Sequence, residues 1–346
     1  MRGARLITLG VGALAFLGWT VMALATPAAA LQGWLIGFVF VSCLSLGSLA
    51  IVLIHRLTAG AWGAAFALEL APAAQLTPLL LVFVLPVLFG LGLIYPWAHT
   101  PMMVEPGVRR LYLNPPLFWA RTLIALGGWS AIALSLDRIE GPRGRLGAGL
   151  ALAFHGLAVS VVGVDWMLSI LPSFTSSDFG MALVVQQLMA GFAFAALQAR
   201  KPAPDAASGD VAGLLLATII GLTYLEFMSY LVIWYGDRPP LDAWYIPRIS
   251  PAWRGFVWVS LACGIAALTL LAVRRRFGTH RALAWAGGVS LVGLLSYQTW
   301  LLAPGLGAAC LLPAILALVA MGGVWLALAG GVPRLELKLG ALVHER

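Results

Sequence analysis

Apolar residues run along this chain in long blocks rather than at every second or every third-to-fourth position. A helix that crosses about 30 Å of hydrocarbon needs roughly 20 apolar residues. Ten blocks of that kind succeed one another, at about 6–25, 34–54, 76–97, 117–136, 146–170, 179–198, 211–235, 255–273, 282–303 and 310–330. A membrane β-barrel would instead show segments of about ten residues that alternate apolar and polar. The pattern predicts an all-α integral membrane protein of about ten transmembrane helices. The first block follows Arg2 and Arg5 and precedes the small-residue run Ala25-Thr-Pro-Ala-Ala-Ala30. Its apolar core is longer than that of a typical signal peptide, so it is read as a retained helix.

Composition agrees. Of 346 residues, 61% are hydrophobic and only 10% charged, with a mean hydropathy of +0.96. A soluble domain carries about 25% charged residues, which excludes that class, and the recurring apolar runs exclude a disordered or collagen-like chain. Cys43, Cys263 and Cys310 all fall in apolar runs, without the spacing of a CxxC motif, a zinc site or an iron–sulfur cluster. With the N-terminus placed in the cytoplasm, fifteen Lys and Arg fall on the inside. Five lie outside: Arg109, Arg110, Arg238, Arg248 and Arg254, while Arg121 stands just within the fourth span. The positive-inside rule then predicts cytoplasmic N- and C-termini. The net charge of +8 reads as that bias and not as a nucleic-acid surface.

Two of the outer connections are long and alike. The third span leaves as Ile94-Tyr-Pro-Trp97 and the chain re-enters at Pro116-Leu-Phe-Trp-Ala-Arg121; the seventh leaves as Ile233-Trp-Tyr235 and the chain re-enters at Pro251-Ala-Trp-Arg254. Four spans separate them, so a duplicated unit would keep its orientation. The expected organisation is a first helix and outer loop (1–33), a four-helix bundle (34–170, spans 2–5), a second bundle (171–303, spans 6–9), and a last helix with a cytoplasmic tail (304–346). Trp97, Arg109, Arg110, Trp244, Tyr245 and Arg248 in these loops are the candidate partner interface, since aromatics and Arg are enriched where proteins dock. A lipid-interface belt of the same aromatics is the alternative.

Ionisable and polar groups inside spans are the remaining candidates for chemistry, because hydrocarbon makes them expensive. His155 and Asp165 lie on span 5, about 15 Å apart along the axis and about 80° around it. Glu226 on span 7 has Thr223 and Tyr230 on the same helix face, with Tyr224 beside them. Gln186 and Gln187 lie on span 6, Tyr297 and Gln298 on span 9. These groups read either as stepping stones for protons or as interhelical hydrogen bonders. Only His155 is deep among the five histidines, so bis-His haem ligation is not expected, and no CxxCH attaches a c-type haem.

Three stretches, Ile54-His-Arg-Leu-Thr-Ala-Gly-Ala-Trp-Gly63, Asp165-Trp-Met-Leu-Ser-Ile-Leu-Pro-Ser-Phe-Thr-Ser-Ser-Asp-Phe-Gly180 and Tyr224-Leu-Glu-Phe-Met-Ser-Tyr-Leu-Val-Ile-Trp-Tyr-Gly236 with Trp244-Tyr245, together resemble a family. The chain resembles the F subunit of bacterial alternative complex III, a relative of the polysulfide-reductase-type (NrfD-like) membrane subunits. The resemblance implies two four-helix bundles flanked by two helices, in the bacterial inner membrane. It implies a quinol:electron-acceptor oxidoreductase whose iron–sulfur clusters and c-type haems sit in periplasmic partner subunits. The F subunit of that family binds no haem or cluster. Quinol would bind in a sister membrane subunit, and this chain would anchor partners or conduct protons, with Asp165 and Glu226 matching the family's span-5 and span-7 acids. Arg56 stands where a second histidine often appears, and Ile170 and Ser173 replace more polar or aromatic neighbours. A secondary transporter and a purely structural anchor are the competing functions. The charge count makes a direct prediction. Single cysteines at 143, 203 and 276 should label only from the cytoplasm, and those at 105 and 242 only from outside; the reverse at any site would overturn the orientation.

Overall fold

The computed structural model describes residues 2–100, 104–139, 141–199, 204–237 and 239–329, which are overwhelmingly helical with no strand among them. Among the described residues ten helices are long and apolar enough to cross a membrane: Arg5–Ala25, Pro27–Thr58, Ala67–Phe89, Pro115–Leu134, Gly144–Ile170, Phe179–Gln198, Asp205–Gly236, Pro251–Ala272, Thr279–Leu306 and Ala308–Ala329, spans 1 to 10 below. Arg200, Lys201 and Arg238, and the tail with Arg334, Lys338 and Arg346, lie outside the described residues. The protein is thus an all-α, multi-pass membrane protein. The face carrying the two long connections, 90–114 and 237–250, is called the loop face; the opposite one is the terminal face.

Two boundaries differ from expectation. No loop occupies 26–33: span 2 begins at Pro27, directly after Thr26, because proline at the first helical position gives up only an N–H that has no partner there anyway. Span 3 begins at Ala67 rather than near 76, and short 3-10 and turn interruptions break it up to Phe89. Pro72, Pro78 and Pro86 each remove a backbone donor along it. Glu69 therefore belongs to a span and not to a loop.

Span 2 is apolar all round and buried without a break from Gly33 to Leu53, as such a helix must be. It packs against spans 1, 3, 5, 6 and 10, and span 6 packs against spans 2, 5, 7 and 9. Within spans 2–5 the pairs are 2 with 3, 3 with 4, 4 with 5 and 2 with 5; within spans 6–9 they are 6 with 7, 7 with 8, 8 with 9 and 6 with 9, with 7 and 9 also touching. The same pairing thus occurs twice, with spans 2 and 6 meeting in the middle. Spans 1 and 10 pack on each other and on span 2. Indole donors fasten these contacts: Trp325 Nε1 donates to Ser45 Oγ at 2.7 Å and Trp34 Nε1 to the Phe83 carbonyl at 2.7 Å.

The central crossing is set by glycine. A Cβ on Gly47 would overlap the backbone carbonyl of Gln187, and one on Gly191 would lie 2.9 Å from the Gly47 carbonyl carbon. Small residues let membrane helices approach this closely. Gly47→Ala is expected to destabilise the solubilised protein by about 2–3 kcal/mol, the scale of an overpacked core. Gly213→Ala on span 7, which meets nothing within 4 Å, should be neutral or mildly stabilising in the same thermal unfolding measurement.

Candidate functional site

At the loop face of spans 4 and 5, Arg121 and Asp165 form a bidentate ion pair. Arg121 Nε donates to Asp165 Oδ2 at 2.7 Å and Nη2 to Oδ1 at 2.8 Å. Nη2 also donates to the Tyr112 carbonyl at 2.9 Å, and the guanidinium lies 3.8 Å over the Tyr112 ring. Asp165 is fully buried and Arg121 is 18% exposed. One residue further along each helix, Trp166 Nε1 donates to Thr122 Oγ1 at 3.1 Å, so adjacent polar contacts knit the two spans. Burial, then the charge of Asp165, pushes the Tyr112 phenol up to about 12. It stays protonated at neutral pH, so its hydroxyl can donate as well as accept.

The second bundle closes its loop face differently. The loop helix Pro239–Arg248 delivers the buried Arg248 to span 9. Its Nε and Nη2 donate to the Leu301 carbonyl at 3.2 and 2.5 Å, Nη1 donates to the carbonyl of Trp244, and the guanidinium carbon lies 3.4 Å over the Trp244 ring. Trp300 Nε1 donates back to the Arg248 carbonyl at 3.0 Å. Trp244 stacks on Phe174 at 4.5 Å, and Tyr245 meets Tyr230 edge-on at 5.4 Å. Burial draws the guanidinium down to about 9, partly offset by Tyr297 and Tyr245; it remains a cation at neutral pH. Below this lid Asp178, at the start of span 6, accepts from Ser176, and from Ser229 of span 7 at 2.5 Å.

Between the bundles runs a file of polar side chains. Glu226 on span 7, partly buried, faces the hydroxyl of Tyr297 on span 9, with Asp178 nearby. The next residue on span 9, Gln298, donates through Nε2 to Gln186 Oε1 at 3.1 Å and Cys43 Sγ at 3.2 Å. Gln187 follows Gln186 and faces His155 of span 5, whose ring lies 5.8 Å from that of Trp129. Spans 2, 5, 6, 7 and 9 all contribute. Tyr297, Gln186, Gln187, Gln298 and His155 are all buried. Yet His155 Nδ1 and Nε2, Gln186 Nε2, Gln187 Oε1, Gln298 Oε1 and the Tyr297 hydroxyl close no hydrogen bond within the protein. Each such atom, left dry, costs about 1–3 kcal/mol. Together they would rival the stability of a whole domain, about 5–15 kcal/mol.

Of the expected site residues, Glu226 thus faces Tyr297 and His155 faces Gln187, while the Gln298–Gln186 bond joins spans 9 and 6. The carboxylate of Asp165 is held by Arg121 instead. Thr223 turns its hydroxyl back to the Ile219 carbonyl at 2.8 Å, and Tyr224 and Tyr230 are largely exposed on span 7. His55 shares a hydrogen bond with the Gly60 carbonyl at 3.0 Å near the terminal face. The expected partner surface needs correction. Trp97, Trp244 and Arg248 are each only 2% exposed, because the Trp97 ring packs on Tyr95 and Phe118, the Trp244 ring packs on Phe174, and the Arg248 guanidinium donates to main-chain carbonyls. Arg109 and Arg110 are exposed on the loop face, and Tyr245 is half-buried. Asp178, Glu69 and the partnership of Arg121 were not singled out from sequence. An arginine inside a span, which demands a counter-charge, was the available signal for the last.

No model of a known protein family matches the chain, and no characterised protein matches it either. The resemblance drawn above rests on the residues quoted for it. Among the described residues no group of three or more His, Cys, Asp or Glu gathers as metal ligands.

Removing one member of a buried ion pair costs about 3–5 kcal/mol, whereas replacing both with apolar groups of like volume is often nearly neutral. Asp165→Ala should accordingly lower stability by about 3 kcal/mol or more. The double variant Arg121→Met/Asp165→Leu should recover most of that loss in a thermal unfolding series. Equal loss in both would mean that the charge pair is not what holds these spans.

Proposed function

We propose that this protein is a membrane subunit, without redox cofactors of its own, of a quinol:electron-acceptor oxidoreductase of the alternative complex III kind. In this reading it sits in a bacterial inner membrane with both termini cytoplasmic. It anchors periplasmic iron–sulfur and c-type cytochrome subunits and conducts protons between its two bundles. Quinol binds in a sister membrane subunit. The observation that carries the reading is the buried file from Glu226 to His155. A seam between two apolar bundles gains nothing in packing from three glutamines, a tyrosine and a histidine, so polarity there calls for a use. The resemblance of the motifs around Asp165 and Glu226 supplies the class of complex.

Each side chain then has a part. Glu226 is the carboxylic acid of the file and the group able to take up and release a proton. Tyr297 presents a hydroxyl to it, and the Gln298–Gln186 bond holds spans 9 and 6 in register. His155, at the other end, is a second exchanging group near the middle of span 5. Asp165 positions Arg121 and closes the loop face of the first bundle. The exposed Arg109 and Arg110 are the part of the loop face available to acidic partner surfaces. A transporter reading has less support, because such sites favour matched broken helices. Here span 3 is interrupted, whereas span 7, its counterpart in the pairing, is one continuous helix.

The test is turnover-linked proton release from proteoliposomes containing the assembled complex. Glu226→Gln keeps the shape and loses the exchangeable proton. The expected result is normal assembly with haem-bearing partners, retained quinol oxidation and a lowered proton-to-electron ratio. An unchanged ratio would leave the anchor role alone, and isolation as a free protein without such partners would overturn the complex itself.

A further inference from the structure

Spans 8 and 9 are joined at the terminal face by a short, strongly basic turn. Span 8 ends at Ala272 and the single helical turn Arg274–Phe277 follows. Gly278, at a φ of 86° that favours glycine, then reverses the chain into Thr279 of span 9. Arg274, Arg275, Arg276 and Arg281 thus stand within eight residues of sequence, and the last three are exposed. Nothing in the chain neutralises them. No Asp or Glu occurs between Asp242 and Glu336. Asp205 and Asp210, at the terminal-face end of span 7, form no ion pair with these arginines, and neither does any other carboxylate among the described residues. Arg274 to Arg276 follow the C-terminus of span 8, which favours cations, and Arg274 Nη1 donates to the Leu271 carbonyl at 2.7 Å. Arg281 stands instead in the first turn of span 9, the end of a helix that favours anions. That helix opens with no capping side chain and no acid in its first turn. Its first N–H groups, which no helix pairs internally, therefore add to the positive charge of the arginines.

Below the turn both spans present apolar surface to the membrane. Span 8 is exposed along most of its length. On span 9, Trp285 lies one helical turn beyond Arg281 on the same face, about 6 Å deeper, and is 70% exposed. That is the depth of the lipid glycerol region, where tryptophan is enriched. The ligand these features ask for is anionic at one end and apolar at the other. We propose that the turn between spans 8 and 9 binds an anionic phospholipid, its phosphate held by Arg275, Arg276 and Arg281 and its acyl chains lying along the two spans. A cluster of about four to eight basic residues at the end of a membrane helix is the pattern of anionic-lipid recognition. A soluble phosphate would answer the arginines and leave the apolar surface below them without a role. The proposal is independent of the quinol and proton reading.

The experiment is native mass spectrometry of the full chain in a neutral detergent, titrated with phosphatidylglycerol or with phosphatidylcholine of the same acyl chains. The protein should bind its first phosphatidylglycerol at least about tenfold more tightly than phosphatidylcholine. Arg275→Gln/Arg276→Gln/Arg281→Gln should abolish that preference. The charge-matched Arg5→Gln/Arg138→Gln/Arg145→Gln, at exposed arginines elsewhere on the terminal face, should keep it. Arg281→Gln alone should weaken phosphatidylglycerol binding about fivefold, and it serves as the local test if the triple variant fails to fold. Equal affinity for the two lipids would overturn the proposal, as would equal loss in both triple variants or no loss in Arg281→Gln. Displacement of the phosphatidylglycerol by excess inorganic phosphate would make the turn a site for soluble anions and would overturn the lipid assignment.

Discussion

Everything in this fold hangs on how closely spans 2 and 6 approach. With lipid outside, burying apolar surface gives helices little reason to associate, and contact distance decides the outcome. Gly47 and Gly191 bring the two backbones together where any Cβ would hold them apart. Span 2 can then be surrounded on all sides, and spans 5 and 9 are drawn to the same seam, each resting on the first helix of its own bundle. The seam polar groups meet only because of this crossing: Cys43 comes from span 2, Gln186 from span 6 and Gln298 from span 9.

The spans were legible because block length is a coarse quantity that hydrocarbon thickness enforces. Nine of the ten depend on little else. Span 3 was misplaced because its prolines disguise the start of a helix that continues through 3-10 turns, leaving Glu69 in what read as a loop. The pairing of Arg121 with Asp165 joins positions 44 apart, and no local pattern encodes it. The loop aromatics misled for a different reason. Trp and Arg are as useful for closing a protein's own end as for docking another protein, and composition cannot tell the two apart. Trp244, stacked on Phe174 and under Arg248, is engaged inside the chain. The polarity of Glu226, His155 and the glutamines was visible from sequence; which of them face one another, with Asp165 held by Arg121 and Thr223 turned to its own helix, depended on helix rotations that near-uniformly apolar spans do not reveal.

The two bundles treat matching positions in opposite ways, and the difference bears on function. Tyr112 and Arg248 each stand three residues before the proline that opens the next span, Pro115 and Pro251. Asp165 and Leu301 each stand five residues before the end of their spans, Ile170 and Leu306. In the first bundle the position on span 5 is an acid, and a guanidinium neutralises it. In the second, the position on span 9 offers only a carbonyl, and a guanidinium is bound there by main-chain oxygens and a tryptophan ring.

A cation held by carbonyls near a helix C-terminus is tolerable, since that end of the helix favours positive charge, but it spends no carboxylate. The consequence falls on Glu226. In the first bundle the Arg121–Asp165 fork occupies both carboxylate oxygens. In the second bundle Arg248 is tied to Leu301 and Trp244, and Glu226 faces a tyrosine hydroxyl instead of a guanidinium. An acid opposite a neutral hydroxyl can be protonated or not without breaking an ion pair, which is the minimum requirement for passing a proton on. The same architecture thus yields one acid held in an ion pair and one that faces a hydroxyl. The choice between them is made by where each bundle sends its arginine.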